Sequence, residues 1–271
     1  MTVLEIYRLL DAVAPFETQE AWDNSGLLVG SPSLEVSGIL FALDCTDAVI
    51  AEALRLHANL IITHHPLMFT ARKKITDEDY EGRILTRLIQ NGMSLIASHT
   101  CLDRAQGGMN DALAEVLALL DVRGNGFVRV GRLPVPMTSG MLKDYLCAAL
   151  GDEVRLMGDP GKEITWLGLC SGGGGEEWTL ARDLGAQAFV SGEIKHHVAL
   201  EMADEGIPAF ECGHFATEQP GIFALADALQ SALNQVKYIL GIYKSETGAY
   251  PLPKRCGIPG SGDGSGAISH V

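Results

Sequence analysis

Apolar positions along the chain follow two periods. Near the N-terminus Val3, Ile6, Leu9, Leu10 and Val13 recur at three- and four-residue steps, which puts them on one face of a helix that Pro15 closes. Continuous apolar runs at 38–43, 60–63 and 94–97 read instead as short buried strands. Helical periodicity returns over about 47–58, with Thr46 as N-cap, over about 80–90, ending at Asn91-Gly92, and over 109–120. Residues 121–126, DVRGNG, make a candidate boundary. Beyond it the alternation resumes. Strands are expected at 127–130, 165–169, 188–190 and 209–210, with helices near 139–150, from Glu176, over about 195–203, and in a long segment through Leu233. Residues 236–240 read as a last strand. Strands alternating with helices predict an α/β fold. From Pro251 onward the chain is too rich in Gly, Ser and Pro to bury a core, so a disordered tail is expected over 251–271.

Composition narrows the function. The 271 residues suffice for one large domain or two medium ones, and 47% hydrophobic against 20% charged residues supports a packed core. Lys and Arg number 20 against 34 Asp and Glu, for a net charge of −14, which argues against nucleic acid or anionic lipid as a partner. The longest apolar stretches fall far short of the ~20 residues a membrane-spanning helix needs. The first 15 residues lack the basic start of a signal peptide. Six scattered cysteines form no CxxC pair, so neither a thiolate zinc site nor a disulfide framework is expected, and a reduced cytoplasm fits.

Of the eight histidines, six sit at the ends of elements: His64, His65, His99, His196, His197 and His214. His57, expected within a helix, and His270, in the tail, carry no special reading. Loops after the strands of an α/β sheet gather at one edge, where such folds place their sites. In ITHHP two adjacent imidazoles follow a buried strand, and alone they could simply hydrogen-bond at its end. SHTCLD sets Asp103 four residues after His99, compatible with an ordinary capping turn. GHFATE spaces His214 and Glu218 by four, on one helical face, which is a metal-pair spacing and also a common surface pair. Together, three imidazoles and two carboxylates form a mixed nitrogen–oxygen set suited to zinc, iron, manganese or cobalt. Five donors exceed the needs of one tetrahedral ion, so two divalent ions sharing a carboxylate are expected, with hydrolysis as the chemistry.

The segments WDNSGLLVG (22–30), THHP (63–66), SHTCLD (98–103), SGEIKHH (191–197) and GHFATE (213–218) resemble, in order, the motifs of the GTP cyclohydrolase 1 type 2 homologs, the dinuclear-metal-centre hexameric proteins. The resemblance implies two interlinked α/β domains with a two-metal site in the cleft between them. The first would take 1–125 plus about 208–245, and the second 126–207. It implies metal ligation by His64, His65, Asp103, His214 and Glu218, with His99 and His197 handling protons, and a toroidal homohexamer. If the family's name describes its activity, water activated at the ions attacks C8 of guanine in GTP, the imidazole ring opens and formate is lost. Two other readings stay open: a metal-stabilised hexameric binding or scaffold protein, and a two-metal phosphoesterase.

The chain departs from the family's motifs at Cys101, where Asn is usual, and at Glu211, Cys212 and Phe215, where Asp, Ala and Tyr are usual. Cys101 reads as a small buried hydrophobe. The run SGGGG (171–175) could cradle phosphate before a helix, but Glu176 and Glu177 follow it directly, so a structural turn is expected. Lys73 and Lys74 could give a nucleotide phosphate its counter-charge, or belong to a solvated loop. Asp23 and Asn24 are expected to shape a local turn with Trp22 packed beneath it.

Overall fold

A computed structural model describes residues 1–247 of the chain. The tail expected over 251–271, with His270 and Cys256, lies outside the described residues. The first part runs α1 (Val3–Val13), β1 (Gly26–Val29), β2 (Gly38–Ala42), α2 (Asp47–Arg55), β3 (Leu60–Thr63), α3 (Tyr80–Gln90), β4 (Ser94–Ala97), α4 (Thr100–Arg104) and α5 (Met109–Val116). The second runs β5 (Leu120–Arg123), β6 (Arg129–Thr138), α6 (Ser139–Leu150), β7 (Arg155–Met157), β8 (Glu163–Cys170), α7 (Trp178–Asp183), β9 (Ala188–Ser191), α8 (His196–Asp204), β10 (Ala209–Glu211), α9 (His214–Gln235) and β11 (Gly241–Lys244).

These strands form two sheets, of order β1-β4-β3-β2-β11 and β5-β6-β8-β9-β10-β7. In the first, β11, β2, β3 and β4 are parallel and β1 closes the edge antiparallel. In the second, β8, β9 and β10 are parallel, while β5, β6 and β7 pair antiparallel. The period-2 alternation of a strand sorts the apolar runs between two cores. Ile39, Phe41, Leu60, Ile62 and Ile96 pack with residues of α1 and α9 on one face. Leu40, Ala42, Ile61 and Leu95 pack with α2 and α3 on the other. The second sheet is covered likewise, by α5 and α6 on one face and α7 and α8 on the other. Each such side chain taken fully out of water contributes about 1.5–3 kcal/mol.

Several expectations are corrected. The second helix ends at Arg55, and His57 lies beyond it with φ +54, so it is not helical. The helix from Met109 stops at Val116 because Ala118 takes φ +49, and the chain then forms β5 where only a boundary was expected. Residues 236–240 are no strand. Val236 caps α9, Lys237 turns with φ +55, and the strand starts only at Gly241. β6 extends far beyond Val130, with its ladder register shifting between Arg132 and Met137, where Pro134 and Pro136 lack the N–H a regular ladder uses. Both β5 and β10 hydrogen-bond into the second sheet, although the sequence division groups them with the first. α9 then returns to pack on α1, α5 and β2. Among the described residues no helix is long and apolar enough to cross a membrane.

Candidate metal centre

The carboxyl ends of parallel strands from both sheets converge on one cavity, of about 980 Å³. His64 and His65 follow β3, His99 follows β4, and Asp103 sits in the short helix α4. His214 and Glu218 share one face of the first turns of α9, entered from β10 through Gly213 at φ +83. His64 Nε2 lies 3.6 Å from both Asp103 Oδ1 and Glu218 Oε1. His65 Nε2 and His214 Nε2 each lie 3.1 Å from Glu218 Oε2. Glu218 thus stands between the histidines of the first sheet and His214 from the second. Three sets of donor atoms, each within 4.8 Å of one another, have the composition of an ion site: His64, His65 and His99; His65, His214 and Glu218; His64, Asp103 and Glu218.

Each imidazole is oriented through its far nitrogen. His64 Nδ1–H donates to the Ser98 carbonyl at 2.9 Å. His65 Nδ1–H donates to Asp44 at 2.8 Å, and His214 Nδ1–H to Glu193 at 2.9 Å. His99 Nδ1–H donates to the Asp23 carboxylate, a side chain enclosed by protein, at 2.8 Å. Those bonds fix the rings and leave every Nε2 for the centre, as metal-bound histidines require. Two buried atoms there, His64 Nε2 and Glu218 Oε2, make no well-formed hydrogen bond, although His65 Nε2 and His214 Nε2 stand 3.1 Å from the carboxylate oxygen. Orphaned buried polar atoms of this kind are costly, and a cation would satisfy both. The donor set therefore fits a divalent metal.

The electrostatics reflect the same crowding. Burial pushes the Asp103 carboxyl up, to about 7, with Glu218 adding to the rise against the pull of His64. Burial opposes the charge on His65, but its bond to Asp44 and the close carboxylate of Glu218 outweigh this and raise its pKa to about 10. His214 is likewise raised, to about 9: burial works against it and the Glu218 contact prevails. Glu218, nearly enclosed, would be pushed up by burial, yet the charge of His64 and the close approach of His214, His64 and His65 hold it well below the usual carboxylate range.

Gly172 closes the wall of the centre. It adopts φ +57, and a Cβ there would stand 1.9 Å from Glu218 Oε1 and 3.1 Å from His214 Nε2. Behind it, the Gly172 carbonyl accepts from Glu193 N and its N–H donates to Thr217 Oγ1. A Cβ at Gly192 would stand 2.6 Å from that carbonyl. The glycine run is thus a turn, as expected, but one that packs directly against the donors and lines the cavity.

His64, His65, Asp103, His214 and Glu218 all come together, and His99 joins them. His197 does not. It lies on the exposed first turn of α8, away from the cavity lining, and acts only electrostatically on Glu176, behind the stronger Lys195 contact. Lys73 and Lys74 are exposed and do not line the cavity either. Cys101 is fully buried in the first core and Cys212 in the second, and burial pushes both thiols up. Trp22 does not pack beneath its turn. It is 62% exposed and meets the His99 ring edge-on at 5.9 Å. Asp23 reaches far beyond a local turn, accepting from Thr100 N–H and Oγ1–H as well as from His99. Sequence reasoning missed Asp44, Glu193 and the reach of Asp23. The available signal was a carboxylate directly after a strand or inside a motif already singled out.

The profile of the Duf34/NIF3 (NGG1p interacting factor 3) family matches residues 1–251. A Clostridium perfringens protein named GTP cyclohydrolase 1 type 2 homolog is 31% identical over 252 residues, covering 89% of this chain and 96% of its own length. A Helicobacter pylori protein named GTP cyclohydrolase 1 type 2 is 33% identical over 235 residues, covering 84% and 92%. Among solved structures, a Staphylococcus aureus hypothetical protein superposes with a TM-score of 0.89 at 28% identity, covering 93% of this chain and 99% of the other.

Proposed function

The chain belongs to the Duf34/NIF3 family, and on that footing we propose that it is a dinuclear-metal-dependent hydrolase of the GTP cyclohydrolase 1 type 2 kind. The observation that carries this reading is the convergence of His64, His65, His99, His214, Asp103 and Glu218 in three overlapping donor sets, with the buried His64 Nε2 and Glu218 Oε2 making no well-formed hydrogen bond. Two divalent ions of the zinc, iron, manganese or cobalt type would be held by His64, His65, Asp103, His214 and Glu218. When bound they supply Lewis acidity and lower the pKa of water. Asp44, Glu193 and the Ser98 carbonyl hold the ligand rings in the productive tautomer. His99, fixed at Nδ1 by Asp23, keeps Nε2 free to accept a proton from water and return it to the leaving nitrogen. On GTP, addition of water at C8 of guanine opens the imidazole ring, and a second hydrolysis releases formate.

The cavity beside the donors favours catalysis over a purely structural metal, whose ligand shell would be closed. A cytoplasmic homohexamer belongs to the same reading, and native mass spectrometry giving a monomer would remove the hexamer. The test of function is metal content per chain on untagged protein, followed by formate release from GTP. About two equivalents with metal-dependent formate is the expected result. Two equivalents without formate would discard GTP, and no metal after reconstitution would discard the hydrolase.

A further inference from the structure

The cavity carries information about its ligand beyond the metal donors. Three aromatic side chains, from separate segments, line it: Trp22, Phe69 and Phe127. Trp22 and Phe69 remain 62% and 49% exposed. Both meet the His99 ring edge-on, with centroids at 5.9 and 5.5 Å, so their free surfaces lie beside the donor cluster. Exposed rings at a cavity mouth are costly in water and suited to receiving a flat π-system. Phe127 is backed by the Arg104 guanidinium at 5.4 Å.

The charge of the lining is one-sided. Six carboxylates face the cavity, those of Glu20, Asp44, Asp103, Glu176, Glu177 and Glu218, and none of the lining residues is Lys or Arg. The cations near the rim are engaged: Arg104 pairs with Glu20, and Lys195 with Glu176 at 2.6 Å. With two divalent ions bound, their four positive charges only offset Asp44, Asp103, Glu177 and Glu218, the four lining carboxylates not paired with Arg104 or Lys195, so no surplus positive charge is left to hold a polyphosphate. Polyphosphate sites are built the opposite way, from Arg, Lys and free backbone N–H groups.

We propose that this cavity selects a planar heterocycle that is uncharged or cationic, stacked among Trp22, Phe69 and Phe127, and discriminates against a polyphosphate tail on it. This rests on the hydrolase reading for its chemistry but concerns binding alone. A nucleobase or nucleoside-like ring is then the better ligand, and phosphates on it are a penalty.

Titration of metal-loaded protein with guanosine, GMP and GTP by calorimetry tests this. Guanosine is expected to bind most tightly and GTP at least tenfold more weakly at low ionic strength, with the gap closing as salt is added. Trp22→Leu, at an exposed position, is expected to weaken guanosine at least tenfold without changing metal content. The double variant Glu176→Gln, Glu177→Gln is expected to narrow the gap between guanosine and GTP. GTP binding more tightly than guanosine, no guanosine binding, or unchanged guanosine affinity in Trp22→Leu would each overturn the proposal. Formate release is read separately. Guanosine-first binding without formate leaves this inference standing and removes GTP hydrolysis, whereas GTP-first binding with formate does the reverse.

Discussion

Replacing Gly172 with alanine puts one methyl group against the metal donors. The new Cβ would lie 1.9 Å from Glu218 Oε1 and 2.9 Å from its Cδ. An ordinary carbon–oxygen contact needs roughly 3.3 Å, so the carboxylate must retreat by more than ~1 Å. Metal–ligand distances tolerate about 0.2 Å, and the displacement is several times that. A retreat also breaks the contacts that Glu218 makes with His65 and His214. Affinity for zinc is therefore expected to fall by at least the 10–100-fold that follows loss of a merely orienting partner. The backbone adds its own cost, because φ +57 disfavours an L side chain by about 1–2 kcal/mol. For a chain of this size that is a Tm lower by roughly 2–8 °C. Gly173→Ala is the matched control: its φ is −81° and a Cβ there meets nothing within 4 Å. Competition against a chelator of known affinity reads the metal term, and calorimetry of the metal-free proteins reads the stability term. Wild-type zinc affinity in Gly172→Ala, with the fold intact, would refute the assignment of Glu218 as a ligand.

Asp44→Asn keeps the size of the side chain and weakens its hold on His65 Nδ1–H, so metal affinity should drop roughly 10–100-fold while the metal-free Tm stays put. Arg129 is buried and grips both oxygens of Asp111 at 2.5 and 2.9 Å; Arg129→Ala should cost toward the low end of about 3–5 kcal/mol, since Asp111 keeps some water, and a Tm within 2 °C of wild type would contradict this. Glu52 on α2 is bonded by Ser245 and Thr247 just past β11. Burial would raise its pKa, but these bonds prevail and depress it below the ordinary 4.5. Its contribution is therefore complete above that ordinary value and lost as pH falls through the depressed one. Tm measured from pH 6 to 3 should fall more steeply in the wild type than in Glu52→Gln, and parallel curves would rule the linkage out.

The sequence was most legible where one physical requirement acted alone. β3 and β4 match the runs 60–63 and 94–97 because a strand buried on both faces must be mainly apolar, with Thr63 and Ser94 the only polar residues of the two. The N-cap Thr46 was legible because a hydroxyl before a helix has one common use, and it accepts from Val49 N–H as expected. β1, β5 and β7 are short strands at sheet edges, where half the surface is relieved of the need to be apolar, and they left no pattern. The helix ends at Arg55 and Val116 were hidden because His57 and Ala118, not glycine or asparagine, adopt the left-handed conformation nearby. In the centre, the donors stood out because adjacent or four-spaced histidines and carboxylates are rare together. Their partners did not: Asp23 and His99 are 76 residues apart, and Asp44 and His65 are 21 apart. Such pairs exist only once the strands are in register.

That dependence on register extends to the whole centre. His64, His65, His99 and Asp103 come from the ends of β3 and β4 and the turn after them, all tied to the first sheet. His214 reaches them only because α9 leaves the second sheet at β10 and crosses to the first, and Glu193, at the end of β9, sets its ring. Gly172, after β8, closes the wall from the same side. The unfolded chain cannot present donors separated by as much as 154 residues, between His64 and Glu218, in one coordination shell. Any ion that uses His65, His214 and Glu218 together therefore binds the docked arrangement of the two sheets and not its separated parts. Its binding energy becomes stability of that junction, growing with free metal concentration as RT ln(1 + [M]/Kd). Chelation should accordingly loosen α9 and the glycine turn before either sheet, with amide exchange rising first around Gly172 and His214, and uniform exchange across both sheets would argue that the centre does not bridge them.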